Sequence, residues 1–346
     1  MVHRSLRSDE PAIVASYAWD RLIVDPLPGP RSAYDFDNLR PVGARNHAFT
    51  SDTKPRRPAG STMPRLAGSL PHELLLLDPA EGAVGMNQQL RELVDIYDVG
   101  SVDVVDVGGD AVARAGEPRL RSPLADGIAL AACHDLPAPA RLLIAGPGLD
   151  GEIDEGTVIA TPGLRTIAVL SPVDVEPFRP VLDWHPSEAT ALLAGAALGL
   201  RGLVEVRDSG LTVELTDRSA SISTLPLPGA VSVNTLASSL TKTTSLAEAE
   251  DIARAVCGFS EIDYERAKAG RATANGSGRI TDATDAAVDR FEHEAAARGI
   301  DYVTFRRIAE ATALNPAAAA DLRAHLVAMR PDHLAWPLWS LRPIAA

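Results

Sequence analysis

The feature that most constrains the fold is a series of short apolar runs that alternate with segments of helical spacing. The runs are AIVASY (12–17), ELLLLD (73–78), VDVVDV (102–107), RLLIAG (141–146) and RTIAVL (165–170). Strands that are apolar on both faces and alternate with helices are typical of a parallel sheet covered on both sides. The pattern therefore predicts an α/β fold built on a doubly wound, mostly parallel, Rossmann-like sheet.

The segments between and after these runs complete the predicted architecture. Residues 86–99 have helical spacing, and residues 122–136 predict a helix with Ser122 as its N-cap and Pro123 at its first position. A third helix is predicted over residues 185–200. Residues 202–220 alternate in polarity around a turn at residues 208–210, which predicts an inserted β-hairpin.

The C-terminal part of the chain has a different pattern. From residue 245 onward the spacing is helical, with a connector, GRATANGSGRI, over residues 270–280. Residues 40–72 are polar, rich in arginine and punctuated by proline, and we expect a long irregular segment there. These patterns predict an α/β domain over residues 11–235 and a helical C-terminal subdomain over residues 236–335.

One stretch concentrates charge at a predicted strand end. DVGGDAVARAGEPRLRSPLADG (106–127) follows a buried strand and carries Asp106, Asp110 and Asp126. In an open parallel sheet, ligands bind beyond the carboxyl ends of the strands. We therefore predict these aspartates as catalytic groups. Carboxylates are also ligands for hard cations, so Asp106 and Asp110 are predicted to hold Mg²⁺ or Mn²⁺.

Residues around these aspartates are predicted to bind a substrate. Paired glycines permit positive φ angles and a close backbone approach, and a helix start exposes N–H groups that attract anions. The loop GPGLDGE (146–152) follows the next strand but matches neither the dinucleotide fingerprint nor the phosphate loop. The predicted substrate-binding residues are Arg31, Gly108, Gly109, Glu117, Ser122, Gly148 and Asp150.

Several of these residues also have a purely structural interpretation. Asp126 in a first helical turn is favourable through the helix dipole alone, and Asp106 can cap a turn. Glu117 before a proline fits a solvated loop, while Arg31 fits either an ion pair with the acidic edge or a substrate anion. Asp110, which follows two glycines, is the hardest to explain without a function.

Other catalytic groups are scarce. No GxSxG elbow is present, and His185 at a loop–helix boundary fits either a general base or a structural role. Cys133 and Cys257 lie in apolar stretches without zinc-like spacing, which predicts buried thiols in a reducing compartment. A Schiff-base mechanism is disfavoured because none of the lysines sits in an apolar run: Lys54, Lys242 and Lys268.

Net charge and hydropathy narrow the range of partners. The formal charge of −13 argues against nucleic acid and anionic membranes, both of which require clustered basic residues. The longest small-apolar run (189–200) is too short to cross a bilayer, and the first residues lack the apolar core of a signal peptide. We expect a cytoplasmic protein with a small-molecule ligand, and homo-oligomers are common among such chains.

A set of motifs in fixed order carries a family resemblance. WDRLIVDPLPGPR, LLLLDPAEGAVG, VDVGGDAVARAGEPRLRSPLADG, GPGLDGE and SEIDYERAKA resemble the bacterial and archaeal family known as domain of unknown function 1152, over residues 12–270. The resemblance groups the motifs but implies no reaction. Family members begin with a glycine-rich strand–turn, whereas MVHRSLRSDEP precedes AIVASY here, so we expect a late chain start or a site that lacks one edge.

Two functions fit these observations. The first is an enzyme that binds a polar metabolite, either phosphorylated or not, at the acidic, glycine-rich sheet edge, with metal-assisted hydrolysis, group transfer or lyase chemistry. The alternative is a non-catalytic ligand-binding or accessory protein in a metabolic or biosynthetic pathway. Both functions need the same acidic and glycine residues at this edge, so the sequence does not distinguish between them.

Overall fold

The apolar and amphipathic segments form a mixed α/β structure. The computed structural model describes residues 1–8, 10–271, 279–314 and 316–344. The helices are α1 (Val2–Arg7), α2 (Met63–Ser69), α3 (Gly82–Tyr97), α4 (Pro123–Ala132), α5 (Glu155–Ile159), α6 (Pro172–Val175), α7 (Arg179–Leu182), α8 (Glu188–Ala197), α9 (Arg207–Gly210), α10 (Leu227–Val233), α11 (Thr235–Leu240), α12 (Leu246–Cys257), α13 (Glu261–Arg271), α14 (Asp282–Ala297), α15 (Phe305–Ala311) and α16 (Pro316–Met329). Short 3₁₀ helices occur at Ala33–Asp35, Pro79–Glu81, Asp110–Val112, Glu176–Phe178 and Pro331–His333.

The strands pair in four sheets. They are β1 (Ile13–Ser16), β2 (Phe36–Asp37), β3 (Arg40–Val42), β4 (Asn46–Phe49), β5 (Lys54–Pro55), β6 (Glu73–Leu76), β7 (Val102–Val107), β8 (Ala140–Ala145), β9 (Arg165–Val169), β10 (Gly202–Val206), β11 (Leu211–Leu215), β12 (Ser221–Pro226), β13 (Tyr302–Val303), β14 (Leu334–Ala335) and β15 (Leu338–Ser340). The strand orders are β1-β6-β4-β3, β7-β8-β12-β9, β11-β10-β13-β15-β14 and β2-β5.

Strand β8 shows why its sequence is apolar on both faces. Successive side chains of a strand point to opposite sides of a sheet. Leu142 and Ile144 pack into one core together with Leu130 of α4, while Leu143 and Ala145 pack into another together with Leu192 of α8. The sheet that contains β8 is therefore covered by helices on both faces, as the apolar runs predict.

The pairing of the strands differs in detail from the expected single parallel sheet. Strands β1 and β6 are parallel, and so are β7 and β8, but the two pairs belong to separate sheets. Strand β12 lies between β8 and β9 and runs antiparallel to both. The observed class is mixed α/β, and within the described residues the strands are not hydrogen-bonded into one doubly wound sheet.

Other parts of the prediction have mixed outcomes. The hairpin of β10 and β11 is observed, with its turn at residues 207–210. Residues 40–72, predicted as irregular, instead contain strands β3, β4 and β5 and helix α2. The connector at 270–280 falls mostly outside the described residues.

The C-terminal region is mostly helical but shares a sheet with the hairpin. Strand β13 pairs in parallel with β10, and Leu203 packs against the C-terminal core. The boundary between residues 235 and 236 stays a prediction. No helix in the described part of the chain combines the length and the apolar character needed to cross a bilayer.

Candidate functional site

The loops that follow β7 and β8 lie side by side. The two strands are parallel neighbours, with Val107 opposite Ala145, so their carboxyl ends meet at one edge. The N–H of Gly148 donates to the carbonyl of Gly108 at 2.6 Å. Gly108 has φ +130°, and a Cβ there would lie 2.1 Å from Oδ2 of Asp150. A side chain at position 108 is therefore excluded, and its absence lets Asp150 approach the β7 loop.

Three carboxyl groups meet at this edge. Asp106 is the penultimate residue of β7, Asp110 begins the following 3₁₀ turn, and Asp126 lies in the first turn of α4. One oxygen from each lies within 4.8 Å of the other two. Asp106 and Asp110 are each only 6% exposed. The structure thus brings together the three aspartates predicted as catalytic groups, and this set is called the carboxylate cluster below.

Ser122 connects this cluster to a buried glutamate. Its hydroxyl donates to Oε1 of Glu152 at 2.6 Å and lies 3.2 Å from Oδ2 of Asp110. Ser122 stands at the N-cap position of α4, as predicted, but its hydroxyl makes no capping hydrogen bond. The predicted capping role of the side chain is therefore wrong, because the two carboxyl groups compete successfully for the hydroxyl.

Glu152 occupies the place where an anion was expected. The backbone N–H groups of Arg121 and Ser122 donate to its Oε2 at 2.7 and 3.0 Å. These groups lie at the start of α4, where free N–H groups attract negative charge. The chain therefore supplies its own anion at this helix start. Glu152 lies in the predicted loop 146–152, yet its role was missed.

Asp150 has one oxygen without a partner. Its Oδ1 accepts the N–H of Glu152 at 2.8 Å. Its Oδ2 is buried and has no hydrogen-bond partner among the described residues. A buried carboxylate oxygen without a donor is costly, so this oxygen is poised to accept a proton or a cation. The charge of Asp150 raises the pKa of Asp106, so Asp150 lies close to the carboxylate cluster.

Burial makes the cluster retain protons. Burial raises the pKa of Asp106 to about 7, with the charge of Asp150 as the next cause. Burial likewise raises the pKa of Asp126 to about 8 and that of Asp150 to about 7. For Asp110, burial and the neighbouring Asp126 raise the pKa well above its ordinary value. Asp126 is thus both a neighbour of Asp110 and one of the causes of its raised pKa.

The positive charge of Arg21 opposes the effect of burial on the pKa of two carboxyl groups. Its Nη1 lies 3.7 Å from Oε1 of Glu261, at the start of α13. Its charge lowers the pKa of Asp126 and of Glu261, although burial still raises the pKa of Glu261 to about 8. The N–H of Ala125 donates to Glu261 at 3.3 Å, so α13 is joined to the first turn of α4. Neither Arg21 nor Glu261 was predicted from the sequence.

A charged cavity opens beside the cluster. Its volume is about 200 Å³, and Arg21, Glu152 and Glu261 form part of its wall. Basic side chains outnumber acidic ones in the rest of the wall: Arg121, Arg207, Lys268 and Arg306 against Glu265 and Glu310. With Arg21, Glu152 and Glu261 included, the wall carries five basic and four acidic side chains, so both signs of charge line this cavity.

Two predicted substrate-binding residues contact other parts of the chain. Arg31 forms an ion pair with Asp25, with Nε and Oδ2 3.0 Å apart in a geometry that is not a hydrogen bond. Its Nη2 donates to the carbonyls of Pro28 and Gly29. Glu117 is partly exposed in a turn, where its N–H donates to the carbonyl of Arg114.

Gly109 and Gly148 serve the backbone of the site. Gly109 has φ +113°, and a Cβ there would lie 2.8 Å from Val158. Gly148 has φ +81° and is tied to Gly108 by the hydrogen bond described above. Both residues shape the two loops that bring the carboxyl groups together.

The comparison with known families matches most of the chain. Residues 1–269 match the family described as "Protein of unknown function (DUF1152)". The chain belongs to this family. The match includes the N-terminal residues that lie outside the resemblance seen at residues 12–270, and it covers the carboxylate cluster, Asp150, Glu152, Arg21 and Glu261, whereas Arg306 and Glu310 of the cavity wall lie beyond it. Comparisons with curated proteins and with solved structures gave no match.

Proposed function

We propose that the chain is an enzyme whose carboxylate cluster binds a divalent cation, Mg²⁺ or Mn²⁺, and uses it on an anionic small molecule. The observation that carries the proposal is the convergence of Asp106, Asp110 and Asp126 within 4.8 Å, together with an unpartnered buried oxygen of Asp150 on the adjoining loop. Carboxyl groups gathered in this way repel one another when ionised. A divalent cation would remove that repulsion and supply the missing partner.

The spacing of the oxygens suits such a cation. Two oxygens on opposite sides of Mg²⁺, with bonds of about 2.1 Å, lie about 4.2 Å apart. Around Ca²⁺, with bonds of about 2.4 Å, the same span is about 4.8 Å. Because the three oxygens all lie within 4.8 Å of one another, small movements of the side chains would place them around one such cation.

The neighbouring cavity supports an anionic substrate. Arg21, whose charge acts on Asp126, lines the cavity together with Arg121, Arg207, Lys268 and Arg306. A phosphorylated molecule is the class that needs both a divalent cation and arginine partners. The cation would polarise the phosphoryl oxygens, while Arg21 would balance negative charge that develops next to the cluster. Hydrolysis, group transfer and lyase chemistry all use this arrangement.

Thermal stability with added metal tests the cation site. Mn²⁺ at one hundred times its dissociation constant is expected to stabilise the folded chain by about 2.7 kcal/mol. The variant Asp110→Asn, which keeps the shape but loses a charged ligand, should lose this stabilisation. The matched control Asp95→Asn changes an exposed aspartate on α3 and should keep it. Equal stabilisation of all three proteins would disprove the site.

A turnover assay then separates an enzyme from a binding protein. The purified protein is incubated with Mn²⁺ and a panel of phosphorylated metabolites, and release of phosphate and loss of each metabolite are followed. Turnover that is absent in Asp110→Asn supports catalysis. Binding without turnover of any member of the panel favours the alternative, a protein that holds a ligand for a partner.

A further inference from the structure

A second cavity adjoins the charged one. Its volume is about 590 Å³, and Ile23, Arg306 and Ala309 belong to the walls of both cavities. The two spaces together reach from Glu152, beside the carboxylate cluster, to Trp184 and His185. The two cavities are therefore neighbours, with Arg306 in the wall of each.

The second cavity has a different chemical character. Its wall includes the rings of Trp184, His185 and Phe305, and the guanidinium of Arg65 lies 4.1 Å from the ring centre of Trp184. The charged cavity has Tyr264 as its aromatic member and is otherwise dominated by ionic side chains. Aromatic side chains provide stacking surfaces for flat rings. The wall near Trp184 thus offers an aromatic surface that a flat ring can contact.

Glu188 lies in the wall of the second cavity and has an unsatisfied oxygen. Its Oε1 accepts the N–H of Arg207 at 3.0 Å and the hydroxyl of Thr304. Its Oε2 is buried, has no hydrogen-bond partner among the described residues, and lies 3.7 Å from Arg306. Glu188 itself is only 4% exposed. A hydroxyl group of a ligand would supply the missing donor.

His185 offers a defined hydrogen-bond donor. Its Nδ1 accepts the backbone N–H of Ser187 at 3.3 Å, so the ring proton lies on Nε2. Burial lowers the pKa of His185 below its ordinary value, which keeps the ring neutral at pH 7. A neutral ring with its proton on Nε2 donates one hydrogen bond, as recognition of a ring nitrogen or carbonyl requires.

We propose that the second cavity binds the sugar and the flat ring of a nucleotide-like ligand whose phosphates lie in the charged cavity. Glu188 accepts a hydrogen bond from a sugar hydroxyl, and Trp184 and His185 contact the ring. This inference rests on the proposed function, because the phosphates would bind next to the cation. It adds the ligand class, which the carboxylate cluster alone does not specify.

The test compares probes that differ only in the ring and sugar. Binding of ATP, GTP, CTP, UTP and inorganic triphosphate is measured by isothermal titration calorimetry in the presence of Mn²⁺. In the wild type, at least one nucleotide should bind about tenfold or more tightly than triphosphate, as expected when one base stacks on an aromatic side chain. Nucleosides without phosphate should bind weakly.

Substitutions test whether the tighter binding of a nucleotide than of triphosphate comes from the second cavity. His185→Ala and Trp184→Ala should each remove most of the difference between nucleotide and triphosphate, while triphosphate and Mn²⁺ bind as before. His185→Gln retains a side-chain N–H donor and should recover part of the difference. The control His134→Ala, at a half-exposed side chain beside Asp135, should change nothing. Unchanged binding of triphosphate also shows that the variants are folded.

The outcomes separate this inference from the proposed function. If Mn²⁺ and triphosphate bind but no nucleotide binds more tightly than triphosphate, the second cavity is not a nucleotide site. The same conclusion follows if the nucleotide preference survives in both His185→Ala and Trp184→Ala. If Mn²⁺ itself fails to bind, the cation site is wrong and this inference falls with it.

Discussion

The metal-free protein should lose stability as the pH rises from 5 to 7, and the carboxylate cluster should be the cause. The pKa of Asp106 rises from 3.8 to about 7 and that of Asp150 from 3.8 to about 7. In this window each group is protonated in the folded chain and ionised in the unfolded chain. The folded state therefore binds more protons, and by linkage its stability falls with increasing pH. Stability begins to fall just above the pKa that these aspartates have in the unfolded chain, and it stops falling above their pKa in the folded chain.

The size of the effect follows from the number of protons. Each proton held only by the folded state changes the free energy of unfolding by about 1.4 kcal/mol per pH unit. Asp106 and Asp150 alone hold two such protons, which gives about 3 kcal/mol per unit, and Asp110 and Asp126, whose pKa values are also raised, add to it. An unfolding entropy of about 2.1 cal/mol/K per residue converts this to roughly 4 °C per unit for a chain of this length.

Urea denaturation and thermal melting of protein treated with a chelator measure this slope. Asp110→Asn removes one titrating group and one source of repulsion, so its slope should be smaller by about 1.4 kcal/mol per pH unit. Asp95→Asn should keep the wild-type slope, because Asp95 is exposed on α3. Equal slopes in wild type and Asp110→Asn would refute the reasoning, as would a wild-type stability that increases with pH.

Three further substitutions test individual parts of the site. Gly108→Ala forces a side chain at φ +130° against Oδ2 of Asp150 and should cost about 2 kcal/mol or more while weakening Mn²⁺ binding in a calorimetric titration. Ser122→Ala removes the hydroxyl that two buried carboxyl groups contact and should lower the free energy of unfolding by about 1–3 kcal/mol in urea. Arg31→Met leaves buried Asp25 without its ion pair and should cost about 3 kcal/mol, yet Mn²⁺ affinity should stay unchanged.

Each of these substitutions has a result that would contradict the account. Gly100→Ala is the control for position 108, because a Cβ there meets nothing within 4 Å. If both glycine variants behave alike, Gly108 does not shape the site. An unchanged stability in Ser122→Ala would mean that its hydrogen bonds are exchanged for others. A loss of Mn²⁺ affinity in Arg31→Met would return Arg31 to the site, as the sequence had predicted.

The strands could be predicted because burial on both faces leaves a local signal. Strands β7 and β8 have runs of apolar and β-branched residues, and the structure places both at their predicted positions. The order of the strands was not predictable in the same way. Strand β12 enters between β8 and β9 after the hairpin, and such long-range pairing is not encoded in any short window of sequence.

In the site too, residues that are close together along the chain could be predicted, whereas residues from distant segments could not. Asp106, Asp110 and Asp126 could be found because a strand end, a glycine pair and a helix start follow one another along the chain. Arg21 and Glu261 were missed because only the folded chain brings α13 to the start of α4. Proximity of residues from distant segments is a property of packing and not of spacing.

Arg31 and Ser122 show that a local pattern does not determine the partners of a polar side chain. The sequence left Arg31 open between an ion pair and a substrate anion, and substrate binding by either residue stays a prediction. The carbonyls of the loop before Arg31 capture its guanidinium, and the hydroxyl of Ser122 donates to Glu152 instead of capping α4. Polar side chains bind the nearest strong partner, and that partner is known only from the three-dimensional arrangement.

The most direct test of the cation site is anomalous diffraction from a crystal soaked in Mn²⁺. The account predicts one anomalous peak bonded to an oxygen from each of Asp106, Asp110 and Asp126, with Oδ2 of Asp150 turned toward it or toward one of its waters. The peak should be absent from Asp110→Asn crystals grown and soaked in the same way. A wild-type map with no peak among the three carboxylates, at saturating Mn²⁺ and above pH 8, would contradict the central claim.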